Sequence, residues 1–142
     1  MYTYRAKLNR IIDGDSIVLD IDLGFDTWIN NQHIRIYGID TPESRTRDLD
    51  EKARGLMATE HVSSLLNPGD ILTINTHKDK GGKFGRILAR VINRDGIDVA
   101  ESLVSSNLAV PYNGQSKQEI QQLHLKNRQI LITENRFTPN EN

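Results

Sequence analysis

The chain has 142 residues, of which 37% are hydrophobic and 26% charged, a balance that is ordinary for one globular domain. It has 18 Lys and Arg against 19 Asp and Glu, a formal net charge of -1, which excludes a strongly basic polyanion binder. Any nucleic-acid binding must come from a local patch. Because the chain contains no cysteine, disulfides and thiolate sites are also excluded.

The N-terminal sequence lacks the basic start and apolar run of a signal peptide, and no stretch has the length and composition of a membrane span. We therefore expect a soluble chain without a membrane partner, cytoplasmic as supplied, in a compartment that the sequence leaves open. A monomer is the default expectation. We predict one domain over residues 1–137 and a frayed tail at residues 138–142.

The first part of the chain alternates apolar and polar residues, which is the pattern of half-buried β-strands. Strands of this kind are predicted at residues 2–8, 17–23 and 34–36. Turn residues separate them, with Asp13-Gly14-Asp15 after the first strand and Asn30-Asn31 before the third.

The spacing of apolar residues then becomes helical, as at Ala58 and Val62, until the Asn-Pro-Gly sequence at residues 67–69 ends this first helix. Two further strands are predicted at residues 71–76 and 87–92. They flank a basic loop, which is typical of a hairpin with an oversized tip.

Two helices complete the pattern. Asp98, with Glu101 three residues later, forms an Asp version of the capping box, and the last helix is predicted at residues 117–132. Five strands with one helix after the third and two after the fifth predict an α+β domain. A closed five-stranded Greek-key OB-fold β-barrel with three α-helices would remove the exposed edges of an open sheet.

One segment puts a cation and two carboxylates at the end of a predicted strand, namely Arg35, Asp40 and Glu43. Arg35 and Asp40 are an odd number of positions apart, so a regular strand would turn them to opposite faces unless Gly38 redirects the chain. Asp15 lies in a second acidic turn. Two carboxylates with a backbone carbonyl and waters suit a hard cation, Ca²⁺ or Mg²⁺.

A third motif contains Arg86, whose guanidinium can donate two parallel hydrogen bonds to a phosphate. Each motif has a simpler interpretation when it is taken alone. The acidic turn suits ordinary turn geometry, Arg35 with Glu43 suits a surface ion pair, and the basic loop suits a solvated hairpin tip.

The order and spacing of the three motifs resemble the staphylococcal nuclease (thermonuclease) family. The matching segments are Ile-Asp-Gly-Asp-Ser at residues 12–16, Arg35 with Gly-Ile-Asp-Thr-Pro-Glu at residues 38–43, and Lys-Phe-Gly-Arg at residues 83–86. The likeness runs from about residue 11 to about residue 108. It implies an OB-fold barrel and Ca²⁺-dependent hydrolysis of phosphodiester bonds in DNA and RNA, with single strands preferred.

The resemblance also implies roles for individual residues. Asp15 and Asp40 would bind the metal through carboxylates and Thr41 through its backbone carbonyl, while Glu43 would position or deprotonate the attacking water. Arg35 and Arg86 would hold the phosphate and stabilise the transition state. Lys83 and Phe84 would flank the terminal phosphate of a nucleotide. The products implied are 3′-phosphates.

Some features extend or depart from this family pattern. Phe84 stands where the family often has Tyr, so it either lacks a phosphate hydrogen bond or packs as a simple ring. Tyr112 is the aromatic candidate for a base-stacking position. The segment at residues 24–33 is either a long hairpin or an extension of the substrate cleft. We hypothesise that Arg45 and Arg47, with Lys78, Lys80 and Lys83, form the local basic patch.

Two rival interpretations come from other functional classes. A non-catalytic nuclease-like OB-fold module would bind nucleic acid or peptide without the full active site. Here all five polar site residues are present, namely Asp15, Arg35, Asp40, Glu43 and Arg86. A structural or inhibitor domain would leave those residues without a common purpose. The sequence therefore favours the enzyme.

Overall fold

The computed structural model describes residues 2–77 and 86–139. Within these ranges seven strands and three helices follow one another in chain order: β1 (Tyr2–Asp13), β2 (Ser16–Asp22), β3 (Trp28–Ile36), β4 (Ile39–Asp40), α1 (Leu49–Leu65), β5 (Ile71–His77), β6 (Arg86–Ile92), α2 (Val99–Ser105), β7 (Val110–Pro111) and α3 (Lys117–Thr133).

Five of these strands close into a barrel in the order β1-β2-β3-β6-β5, with β5 pairing back onto β1. The β3 and β6 strands run parallel, and the other four pairs are antiparallel. The predicted α+β fold, a five-stranded OB-type barrel with three helices, is confirmed. Each of the five barrel strands has a paired neighbour on both sides, although β3 pairs with β6 only from His33 to Ile36.

The barrel interior is filled by branched aliphatic side chains, because alternate residues of each strand point inward. The helices add Val62, Leu103 and Leu131 to the same core. Burying each such side chain contributes roughly 1.5–3 kcal/mol. The largest fully buried side chains are Leu8, Ile17, Leu19, Ile34, Ile36, Leu66, Leu72, Ile74, Leu103, Leu131, Val18 and Val62.

Side-chain caps set where the helices begin. The Asp48 carboxylate accepts hydrogen bonds from the backbone N–H groups of Asp50 and Glu51, so α1 starts at Leu49. Asp98 accepts a hydrogen bond from the backbone N–H of Glu101, as its capping sequence predicts.

The prediction of a turn at Asn30-Asn31 is wrong, because both residues lie inside β3. Asn31 has a positive φ of 55° at an irregularity in the pairing of β2 with β3, and its N–H donates to the carboxylate of Asp20. The turn lies earlier, where Gly24 and the next two residues all have positive φ. The 24–33 segment is thus part of a hairpin, and none of it lines the site cavity described below.

A small second sheet was not predicted. β4 pairs with β7, and the N–H of Tyr112 donates to the carbonyl of Gly38 at 2.8 Å. This pairing joins the segment that follows β3 to the segment that precedes α3. In the described part of the chain, no helix combines the length and the apolar character needed to cross a bilayer.

Candidate active site

A cavity of about 530 Å³ opens where β3 ends, beside the β1–β2 turn and the start of β6. Residues from all three sequence motifs line it together: Asp13, Asp15, Ser16, Arg35, Ile36, Tyr37, Gly38, Ile39, Asp40, Thr41, Pro42, Glu43, Arg86, Leu88 and Tyr112. The barrel therefore brings to one place residues that are far apart in the chain.

The guanidinium of Arg35 lies between two carboxylates. Its Nη1 atom donates to Asp15 Oδ2 at 2.8 Å, and its Nη2 atom lies 3.9 Å from Asp40 Oδ1. Gly38 has a φ of 84°, which reverses the chain between Arg35 and Asp40 and overcomes the odd spacing that would separate them in a regular strand. The side chain of Arg35 keeps 21% of its surface exposed, so it remains accessible to a ligand.

Gly14 allows the acidic turn to pack closely against the other site elements. A Cβ at this position would lie 2.8 Å from Ala58 Cβ and 3.2 Å from Thr41 Cγ2. On one side of Gly14, the pKa of Asp13 is raised to about 6 by burial, and then by the hydrogen bond and negative charge of Asp15. Asp13 and Asp15 thus lie close enough in this turn for their negative charges to repel each other.

Glu43 is exposed on a loop that is seated on α1. A Cβ at Gly55 would lie 2.7 Å from each of three backbone atoms of this loop, at Pro42, Glu43 and Ser44. The backbone N–H of Glu43 also donates to Glu51 at 3.5 Å, a long hydrogen bond. Backbone packing on a rigid helix thus fixes the position from which the Glu43 side chain enters the cavity.

His124 is a site neighbour that sequence reasoning missed. Its Nε2 lies 2.8 Å from Asp40 Oδ2, and because a carboxylate only accepts hydrogen bonds, this nitrogen carries the proton. The two residues are 84 positions apart, and a single His in a polar helix gives no local signal of such a contact. Only the packing of α3 beside β4 brings them together.

The remaining predicted site residues fall into three groups. Arg86 and Tyr112 line the cavity with the residues above. Arg45 and Arg47 are exposed on the loop after Glu43 and are not among the lining residues. The others lie outside the residues that the structure describes: Lys78, Lys80, Lys83 and Phe84.

The donor set fits a hard cation rather than a soft one. Asp15 and Asp40 offer carboxylate oxygens beside Thr41, and one guanidinium already bridges both, which marks a position where positive charge is stabilised. Each oxygen that accepts one hydrogen bond keeps a lone pair for a metal. Across residues 2–77 and 86–139, no cluster of three or more His, Cys, Asp or Glu forms a closed metal cage, so waters and a carbonyl would complete the coordination.

Comparisons with known proteins agree with this geometry. Endonuclease YhcR of Bacillus subtilis (strain 168) is 29% identical over 114 residues, covering 77% of this chain and 9% of its own. From the same organism, the SPbeta prophage-derived endonuclease YokF and endonuclease YncB are each 32% identical over 104 residues, or 73% of this chain. The match spans 33% of YokF and 46% of YncB, so this chain corresponds to less than half of each relative.

A sequence model for the family described as staphylococcal nuclease homologue matches residues 33–134. This range includes the Arg35 to Glu43 segment, Arg86 and the whole of α3. Since the match takes in more than half of the residues, and since the barrel and its cavity agree with it, the chain belongs to the staphylococcal nuclease homologue family.

Proposed function

We propose that this chain is a Ca²⁺-dependent nuclease that hydrolyses phosphodiester bonds of DNA and RNA, acting as a monomer and preferring single strands. One observation carries the proposal. Arg35 bridges Asp15 and Asp40 in a cavity that Glu43 and Arg86 also line, which supports the assignment of cation ligands, a base and phosphate-binding groups to these residues. The names of the three relatives, all endonucleases, support the same reaction class.

The metal would be held by the carboxylates of Asp15 and Asp40 and by the backbone carbonyl of Thr41. When bound, Ca²⁺ would neutralise phosphate charge and orient water. Asp13 is next to this set, and its pKa is raised first by burial and then by the hydrogen bond and negative charge of Asp15, a charge that a divalent cation would offset.

Glu43 is the candidate base. Its carboxylate would accept a proton from water as the water oxygen forms a bond to phosphorus. The bond from phosphorus to the 5′ oxygen would then break, and that oxygen would take up a proton. The products would be a 3′-phosphate and a 5′-hydroxyl. The exposure of Glu43 at the cavity mouth gives water access to its carboxylate.

Arg35 and Arg86 would stabilise the charge on the five-coordinate transition state. Both guanidiniums enter one cavity, and preorganised donors of this kind typically contribute ~10²–10³-fold in rate each. Lys83, Phe84 and Tyr112 are proposed to contact the nucleotide, and Arg45 and Arg47 to contact the flanking phosphates.

The test compares cleavage of single-stranded DNA and of RNA with Ca²⁺, with Mg²⁺ and with chelator, for the unmodified chain and for Glu43→Gln. We expect Ca²⁺-dependent cleavage that falls by ~10²–10⁴-fold in Glu43→Gln, because general-base catalysis contributes on that scale. Glu60→Gln is the matched control, since Glu60 is exposed on α1 and does not line the cavity.

Different failures have different meanings. Equal cleavage by Glu43→Gln and by the unmodified chain would remove the base assignment. If the unmodified chain cleaves nothing with any metal and yet binds DNA tightly, the chain is a binding module that retains the residues of a nuclease site.

A further inference from the structure

Two rings stack at the rim of the cavity. The ring centroids of Tyr37 and His77 are 3.8 Å apart, and their planes differ by only 5°. Tyr37 follows β3 directly, and His77 is the last residue of β5. Neither Tyr37 nor His77 was among the site residues predicted from the sequence motifs.

The barrel fixes the backbones of both residues on β6. The N–H of Tyr37 donates to the carbonyl of Ala89 at 2.9 Å, and His77 pairs with Leu88 in the antiparallel ladder. The sheet therefore holds in place the two backbones from which the stacked rings project. Such preorganisation lowers the entropy cost of binding a ligand against the ring.

Tyr37 faces the same space as the phosphate-binding arginines. It lines the cavity with Arg35 and Arg86, and 46% of its surface is exposed although the imidazole of His77 covers one face of its ring. Its accessible surface is therefore the other face and the edges. A flat, supported aromatic face beside cationic groups has the chemistry that binds an unpaired nucleobase.

We propose that Tyr37, supported by His77, is a stacking platform for an unpaired base next to the phosphate bound by Arg35 and Arg86. This inference rests on the proposed function and names a second base position, separate from Tyr112. Tyr112 lies on the β7 side of the cavity, where its backbone bonds to Gly38. Because a π-face accepts any base, the platform selects single strands without selecting sequence.

The test measures binding, not cleavage, in a Glu43→Gln background with Ca²⁺ present. The probes are a short oligothymidylate and an abasic oligonucleotide of the same length, which carries the same phosphates without bases. We expect Tyr37→Ala to weaken oligothymidylate binding by ~5- to 150-fold and to leave abasic binding unchanged. Tyr37→Phe keeps the ring and should bind like the parent protein.

Matched controls separate stacking from loss of structure. Tyr2→Ala removes a tyrosine that is even more exposed, at 71% against 46% for Tyr37, and that is not part of the cavity lining, and it should leave both affinities unchanged. His77→Ala should lower only the affinity for oligothymidylate, and His77→Phe should restore it. Thermal unfolding of each variant reports whether it is folded.

A second readout covers the case in which Tyr37→Ala does not fold. Trp28 is the only tryptophan, so Tyr37→Trp in a Trp28→Phe background places a single fluorophore on the platform. We expect oligothymidylate to quench its fluorescence and the abasic strand to leave it unchanged.

Several results would overturn the platform. They are equal quenching by both strands, equal loss of both affinities in Tyr37→Ala, a Tyr37→Phe variant as weak as Tyr37→Ala, or no binding of either strand by the parent protein. Because the assay needs no turnover, a platform that binds bases in a chain without cleavage activity would show that only the proposed catalysis fails.

Discussion

The carboxylate of Asp40 is contacted on both sides. His124 donates to Oδ2 at 2.8 Å, and Arg35 lies 3.9 Å from Oδ1. The side chain of His124 is 12% exposed, so its ring is held by packing as well as by the hydrogen bond. Partners that orient a ligand carboxylate commonly matter almost as much to a metal site as the ligands themselves.

We therefore expect His124→Ala to weaken Ca²⁺ binding by ~10- to 100-fold. Isothermal titration of the protein with Ca²⁺, in the absence of nucleic acid, measures this directly. His124→Gln retains an N–H donor and should recover part of the affinity. His33→Ala is the control, because His33 is exposed and does not line the cavity. An unchanged Ca²⁺ affinity in His124→Ala would show that the contact does not orient Asp40.

At the scale of elements, the loop that carries Glu43 and α1 are joined by backbone contact at Gly55. The nearest atoms to an added Cβ belong to the loop backbone and not to flexible side chains. The loop must therefore move if any side chain is placed there. A displacement of this kind carries Glu43 with it.

We expect Gly55→Ala to lower kcat/KM by about 10²-fold or more, because ångström-scale misplacement of a catalytic group costs that much. Steady-state cleavage of single-stranded DNA provides the rate, and urea unfolding the stability. Alanine favours the helix by about 1 kcal/mol over glycine, which offsets part of the packing cost. Ser63→Ala, at an exposed position of α1, should leave kcat/KM unchanged and raise stability by less than about 1 kcal/mol through helix propensity. Full activity of Gly55→Ala would mean that the loop tolerates the shift.

The barrel strands and the Asp98 cap could be predicted because their signals are local. The period-two pattern of β2 and the Asp98 cap depend on residues a few positions apart. The turn prediction at Asn30-Asn31 failed for a physical reason. Asn suits both a turn and the left-handed backbone conformation that Asn31 adopts at a strand irregularity, so the two cannot be told apart from the residue types. Two-residue strands such as β4 are too short for any periodic signal.

In the candidate site, too, some residues could be predicted from the sequence and some contacts could not. Asp15, Arg35 and Arg86 are found by motif order, because each sits at a fixed place relative to a strand end. The contact of His124 with Asp40, and the stack of Tyr37 on His77, join residues that are distant in sequence. No periodicity reports such contacts, since they depend on how α3 and β5 are placed by the whole fold.

At the scale of the whole molecule, the net charge of -1 gives no general attraction to nucleic acid. Binding must therefore use local cations. Outside the cavity, our candidates among the residues that the structure describes are Arg45 and Arg47, which are exposed on the loop after Glu43. Its partners in the predicted basic patch lie in residues 78–83, which the structure does not describe.

We expect affinity for single-stranded DNA to fall with salt. The double variant Arg45→Gln/Arg47→Gln should reduce the log–log slope by roughly 0.7 for each phosphate contact that it loses. Fluorescence anisotropy over a salt series measures the slope. Arg5→Gln/Arg10→Gln changes the net charge equally at exposed positions of β1 and should keep the parent slope. Equal slopes for both double variants would mean that Arg45 and Arg47 contribute only to the general charge of the protein and make no phosphate contacts of their own.

The β4–β7 ladder and the His124 contact also matter for synthesis of the chain. The acidic turn, β3 and the loop that carries Glu43 leave the ribosome before β7 and α3 do. Until then, Asp40 has neither its ladder partner Val110 nor its imidazole partner. The growing chain therefore carries an incomplete cleft until β7 and α3 have emerged and packed beside β4.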